Sequence, residues 1–181
     1  MATDVVILGS INIDLLLRCR RIPRAGESVF GTTFEFCTGG KGANQAVAAA
    51  RAGGRARLCG CVGRDDWGGD AVSFLKANGV DVSGLGVVNA PTGLAVVSTD
   101  ADGENSIVVV PGANQRATAR LARFNGSPVV LMTQFRDLRT LTWEIRFHAP
   151  LENFPSGDDV ADADRYAEHF GASALSGNCC R

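Results

Sequence analysis

The sequence predicts an α/β fold, a parallel-sheet core carrying a small, mostly antiparallel β-sheet flap. Three observations point there. Short apolar runs, DVVILGSI (4–11), RARLCGCVG (55–63) and PVVLMT (128–133), have the form of strands buried on both faces. Between them lie segments of helical composition, and strand–helix–strand order implies right-handed parallel crossovers. A second set of segments, at 15–19, 28–36, 93–99 and 105–110, has a different texture, suited to a small half-exposed sheet.

Taken in order, DVVILGSI ends at Gly9–Ser10, where the first strand leaves the sheet. LLLRC (15–19) continues as extended chain until Pro23 and Gly26 mark a loop. SVFGTTFEF (28–36) alternates and is rich in Phe and Thr. Ala43–Ala52 is helical by propensity, and Gly53–Gly54 supplies its stop. After RARLCGCVG, residues 66–78 read as a second helix, with an aspartate cap at its start and Gly79 after its end. GLAVVST (93–99) and NSIVVV (105–110) flank DADGE, a hairpin turning at Asp102–Gly103.

The chain has 181 residues, a net charge of −1 and 45% hydrophobic residues, enough for one domain and a small second lobe. Near-neutrality leaves no electrostatic footprint for nucleic acid or an anionic membrane. MATDVVILGS has no basic start followed by a long apolar stretch, and VVIL, VVV and VVLM are too short to span a bilayer. A cytoplasmic protein without a nucleic-acid or membrane partner is expected. Cys19, Cys37, Cys59 and Cys61 are scattered, Cys179–Cys180 end the chain, and none has zinc spacing. Cys59 and Cys61 share one face of a strand, as small buried hydrophobes do. His148 and His169 have no partner at metal or triad spacing and read as incidental.

GGKGANQAVAAARAGG (39–54) is the segment with chemistry to offer. A P-loop would need glycine where Glu35 stands and Ser or Thr where Gly42 stands, so the phosphate-cradle reading fails twice. The glycines also do not follow the first strand as a dinucleotide fingerprint requires. As a pocket floor the run makes sense. Gly39, Gly40 and Gly42 would let a ligand reach the main chain, and the helix start would turn unsatisfied N–H groups toward it. Lys41 and Asn44 would add directional donors. Asn12 and Asp14, in GSINID, point to one side of extended chain and could hold hydroxyls or merely cap a loop.

VVILGSINIDL, GGKGANQAVAAARAGGRARLCGCVG, DDWGGDAVSFLKANGVD and TGLAVVSTDADGENSIVVVPGAN resemble, in this order, the N-terminal part of the ribokinase-like (PfkB) carbohydrate kinases, from about residue 4 to 135. GGKGANQA is closer to the ribokinase branch than to fructokinase-like or adenosine-kinase-like members. The resemblance implies a ribokinase-like core with a β-sheet lid. It implies that Asn12 and Asp14 hold sugar hydroxyls, with Gly40, Lys41 and Asn44 on the same D-ribose. Lid closure would exclude water, and in this branch the lid meets that of a second subunit, a lid-mediated homodimer. The reaction implied is transfer of the γ-phosphoryl of ATP, as its Mg2+ complex, to O5 of ribose, with a monovalent cation site nearby.

The resemblance ends at Phe135. Arg136 stands where the family has a sugar-site glutamate, and the N-x-x-E and G-A-G-D motifs of the family's later half have no counterpart. The expectation is a truncated fold: residues 1–135 a ribokinase-like N-terminal region, residues 136–181 a family-unlike tail, poorly ordered or with one short helix capped by Asp158. GDDVADAD in that tail reads as a solvated acidic loop. No catalytic, nucleotide-binding or metal-binding residue is assigned. The chain is expected to keep the sugar-binding half and to be inactive alone. The alternative is a non-catalytic sugar-binding fragment or a lid partner of a full-length kinase. Loss of similarity in mid-motif fits a shifted reading frame or a retained intron, which the coding DNA past codon 135 tests. Lost later strands would leave PVVLMT, or a neighbour, with an open apolar edge.

Overall fold

The computed structural model describes residues 4–117, together with 129–135 and 143–148 by their backbone pairing. Two sheets form. The core sheet has five strands: β1 (Asp4–Gly9), β4 (Arg55–Gly63), β5 (Asp81–Val88), β8 (Val129–Phe135) and β9 (Trp143–His148), in the order β5-β4-β1-β8-β9. The first four are parallel and β9 is antiparallel to β8. The lid sheet comprises β2 (Asn12–Cys19), β3 (Gly31–Gly39), β6 (Gly93–Thr99) and β7 (Asn105–Val110), ordered β3-β2-β6-β7. Its outer pairs are antiparallel and its central β2–β6 pair is parallel. Helix α1 (Lys41–Arg51) links β3 to β4, helix α2 (Asp66–Ala77) links β4 to β5, and a short 3-10 turn η1 (Gly112–Arg116) follows β7.

The period-two strand pattern decides the core. Ile7 of β1 and Ala56, Leu58 and Val62 of β4 pack with Ala43, Ala46 and Val47 of α1 and Ala71 and Leu75 of α2. Those helical positions recur at three- and four-residue steps, as a core-facing stripe must. Val6, Leu8 and Cys59 cluster on the opposite face of the sheet. Cys59 and Cys61 are both buried, and burial is the main cause of the upward push on each thiol. The two therefore behave as the small hydrophobes their spacing predicts.

Both helices stop where the glycines predict. Gly53 and Gly79 have φ of 87° and 77°, a region L side chains avoid. In α2, Gly79 N–H donates to Lys76 and Val80 N–H to Leu75; in α1, Gly53 N–H donates to Ala50 and Gly54 N–H to Ala49. Each is the paired bond of a Schellman ending. Helix α1 begins at Lys41, two residues before its alanine-rich part.

Four features depart from the sequence reading. Strand β2 starts at Asn12, so N-x-D lies inside a strand and is not a loop cap. Strand β3 spans Gly31–Gly39, three residues later than expected. Strand β5 was not expected because Gly84 and Gly86 depress strand propensity. A Cβ at Gly84 would come within 2.6 Å of Cys59 Sγ, where the β4–β5 register shifts, so packing selects the glycine. Strand β9 lies in the segment expected to be poorly ordered or helical. WEIRFH alternates apolar and polar residues, a strand period. Because β9 pairs with β8, PVVLMT itself is covered, and among the described residues the edges are β5 and PVVLMT's neighbour β9. The expected helix capped by Asp158, the acidic loop, His169 and Cys179–Cys180 lie outside the described residues, as do Arg136 and the side chain of His148.

A carboxylate ties the lid to the core. Asp65 caps α2, accepting from Gly68 N–H at 2.8 Å, and also accepts from Thr92 N–H at 2.8 Å and Thr92 Oγ1–H at 2.5 Å. Thr92 Oγ1 in turn accepts from Gly63 N–H at 2.9 Å. Asp65→Ala loses a cap and leaves buried Thr92 without its acceptor, so urea unfolding is expected to show a loss of about 1–3 kcal/mol. Asp65→Asn, which keeps one acceptor oxygen, is expected to lose less.

Candidate functional site

The site forms where the chain passes between core and lid. Strand β1 ends at Gly9, Ser10 and Ile11 are buried, and β2 opens with Asn12 and Asp14 on one side of the strand. In the lid, Asn12 stands opposite Gly39 on β3 and Gly93 on β6, and Asp14 stands opposite Cys37 and Ala95. Gly39 and Gly40 then turn the chain into α1.

This corner is tight enough to exclude side chains. A Cβ at Gly39 would lie within 2.7 Å of Asp14 Oδ1. One at Gly40, whose φ is 91°, would meet Ser10 O at 2.6 Å, and one at Gly42 would meet the Gly9 carbonyl carbon at 2.6 Å. The missing side chains therefore admit the protein's own strand and carboxylate. The expectation that they leave room for a ligand at the main chain is corrected to that extent. Of the helix's first N–H groups, that of Ala43 is taken by Ser10 O at 3.1 Å, which fixes α1 against the end of β1.

Asp14 is the unusual group. Its Oδ1 is buried and has no hydrogen-bond partner among the described residues. Burial pushes its carboxyl up from 3.8 to about 6. Lys41, exposed at the helix start, is pushed down by burial of part of its side chain. Asn44 sits on the exposed side of the same turn, its N–H donating to Gly40 O at 2.9 Å. Close approach thus joins Asp14 to Gly39 and Asn12 to Gly40, and the first turn of α1, which follows Gly40, carries Lys41 and Asn44.

One residue of this corner was not singled out from the sequence. Asn114, in η1, accepts from Ile11 N–H at 2.8 Å and donates to Ile11 O at 3.0 Å, Asn12 Oδ1 at 2.9 Å and Pro111 O at 3.0 Å. The P-G-A-N stretch marked its place in the chain, but no local spacing links positions 103 residues apart.

This arrangement offers a hydroxyl-bearing molecule an acceptor at Asp14 and amide groups at Asn12 and Asn44. Among the described residues, no three His, Cys, Asp or Glu side chains come together as metal ligands would, and no helix is long and apolar enough to cross a membrane. Residues 2–133 match the model of the pfkB family carbohydrate kinases. The chain belongs to that family. Within the pfkB carbohydrate kinases it is 44% identical over 120 residues to the ribokinase of Bacillus subtilis, covering 66% of this chain and 41% of that protein. The crystal structure of Cryptococcus neoformans ribokinase with ADP superposes with a TM-score of 0.66 at 38% identity, covering 72% of this chain and 42% of that one. Arabidopsis thaliana ribokinase, solved with ribose and ATP, superposes with a TM-score of 0.55 at 37% identity, covering 63% of this chain and 38% of that one. The chain spans about two-fifths of the length of these relatives. The ribokinase-like fold expected from the resemblance is therefore shown over that part.

The folded chain keeps a proton on Asp14 where the unfolded chain has lost it, between 3.8 and about 6, so this group's contribution to stability falls as pH rises through that window. Asp14→Asn removes the buried charge. The variant is expected to gain stability over the native chain at pH 8 and to show little difference at pH 4, read by denaturant unfolding at both values.

Proposed function

We propose that this chain recognises a neutral pentose, D-ribose, through Asn12, Asp14, Gly40, Lys41 and Asn44, as the sugar-binding part of a ribokinase-type kinase. One observation carries the reading: Asp14 Oδ1 is buried with no donor among the described residues, against Gly39, which precedes α1. A buried acceptor left unpaired costs free energy that a ligand hydroxyl recovers. A phosphate or carboxylate ligand would instead bring like charge to Asp14, so a neutral polyhydroxy molecule is favoured. The ribose bound by the Arabidopsis thaliana ribokinase supports the same class of ligand.

In the reaction proposed for the whole kinase, ATP supplies the γ-phosphoryl group that goes to O5 of ribose. The residues of this chain bind and orient the sugar. The carboxylate of Asp14 accepts from hydroxyls, Lys41 and Asn44 donate from the helix start, and the lid sheet keeps water away. Among the described residues no three His, Cys, Asp or Glu side chains come together, and the roles proposed for this chain's residues concern the sugar alone. The chain alone is proposed to bind without phosphorylating.

A further reading is that the lid pairs with a second lid, in a homodimer or on a full-length kinase. Strand β7 favours it, exposing Ile107, Val108, Val109 and Val110 to solvent.

Titration calorimetry of the full chain with D-ribose is expected to give heat that strengthens from pH 5 to pH 7, as Asp14 ionises, and that is lost in Asp14→Ala. Absent heat at both values overturns the sugar-binding reading. Ribose-dependent ADP formation is expected to be nil, and clear turnover overturns the assignment of this chain as binding part alone. Sedimentation is expected to show a dimer that replacing Val108 and Val109 with Glu dissociates.

A further inference from the structure

The hydrogen bonds of Asn114 have a definite polarity, and that polarity passes to Asn12. The side-chain oxygen of Asn114 accepts from Ile11 N–H at 2.8 Å, a group that can only donate. Its Nδ2 faces the Ile11 and Pro111 carbonyls, each at 3.0 Å, which can only accept. The amide of Asn114 therefore has one allowed orientation, set by three main-chain groups. The same Nδ2 lies 2.9 Å from Asn12 and must donate there too, so the atom of Asn12 it meets is the oxygen. Three acceptors share two hydrogens, one of them bifurcated. The Nδ2 of Asn12 is then the end left over, and no acceptor among the described residues takes it.

We propose that Asn114 is a positioning residue that fixes Asn12 as a hydrogen-bond donor toward the ligand. Asn12 and Asp14 lie two residues apart on β2, on the same side. The pair then presents one donor and one acceptor in fixed order. A ligand that matches it carries an oxygen that accepts and a hydroxyl that donates, as adjacent oxygens of a sugar do. Asn114 also clamps two of the chain's passages between core and lid, Ile11–Asn12 and Pro111, so the polarity of the site and the attachment of the lid depend on one amide. The bonds themselves are independent of any ligand; the effect on affinity rests on the sugar-binding reading above.

The test uses N114D and N114A in the full chain. N114D keeps the acceptor for Ile11 N–H and replaces the donor by an acceptor, so the Asn12 amide is expected to flip and bond its own NH2 to the new carboxylate. By NMR of the sugar-free protein, exchange of the Asn12 side-chain amide protons with water is expected to slow by about tenfold relative to the native chain. In N114A, which removes the clamp without imposing a flip, the two Asn12 amide proton signals are expected to broaden. By calorimetry, each substitution is expected to weaken ribose binding about tenfold in the native background and less than about twofold on top of Asn12→Ala. A role confined to holding the fold would leave the losses multiplicative. Multiplicative losses, or Asn12 signals unchanged in both variants, overturn the proposal. Should the native chain bind no ribose, the sugar-binding reading fails alone, and the NMR measurement, which needs no sugar, still decides the role of Asn114.

Discussion

Ser10–Asn12, Gly39–Gly40 and Thr92–Gly93 pass between the core sheet and the lid so close to one another that a methyl group on any of the three glycines nearest the junction would strike backbone or a buried polar side chain. A Cβ on Gly93 would meet Ile11 O at 2.9 Å and would crowd Asn12 and Asn114 as well. This close approach of backbone to backbone is the constraint on which the site depends. It sets the lid strands in register with the end of β1, and it leaves the polar groups there little freedom to find partners elsewhere. Glycines in such numbers cost conformational entropy on folding. The two Schellman endings, the Asp65–Thr92 bonds and the Asn114 clamp offset that cost by fixing the segments on either side.

The same tightness accounts for the electrostatics. Gly39 lies against the Asp14 carboxylate, whose Oδ1 is buried, and the raised carboxyl follows from that desolvation. A chain selected for stability alone would place an apolar residue or asparagine at position 14. Keeping an under-satisfied carboxylate there makes sense where a ligand completes its hydrogen bonds, since bonds to a charged group are worth about 1.5–3 kcal/mol, more than those between neutral groups. Destabilisation of the free protein and affinity for a hydroxyl-bearing ligand are then two sides of one placement.

Much of this was legible in the sequence, for identifiable reasons. Strands β1 and β4 are apolar on both faces and have no competing period. Helices α1 and α2 carry their stops in Gly53 and Gly79, whose positive φ values are local necessities. Asn12 and Asp14 share a face by strand period alone. What the sequence obscured was non-local. Strand β5 carries Gly84, whose need arises across the β4 register shift, and β9 was hidden by weak flanking punctuation although WEIRFH alternates cleanly. The glycines at 39, 40 and 42 were recognised as a close approach, but what approaches them is the protein's own chain. The link from Asn114 to this corner could not be read, since Ile11 and Asn12 lie a hundred positions earlier and only the folded lid brings them together.

The division between the two sheets bears on how recognition and closure are linked. The core sheet brings β1 and α1 together from one side, through Ala43 N–H and Ser10 O. The lid contributes β2 with its Asn12 and Asp14, so the acceptor and the donors at the helix start belong to different layers. A ligand that bonds both layers gains most when the lid stands at one angle to the core, and it therefore selects that angle. The residues that hold the junction are then the ones able to couple binding to lid position: Asp65 and Thr92 at the entry to β6, Asn114 at the exit from β7. Asp65 acts from the core on the lid. Asn114 acts across the lid's two attachments and reaches Asn12 directly, so of the two it alone joins the orientation of a group proposed to bind the ligand to the geometry of the junction.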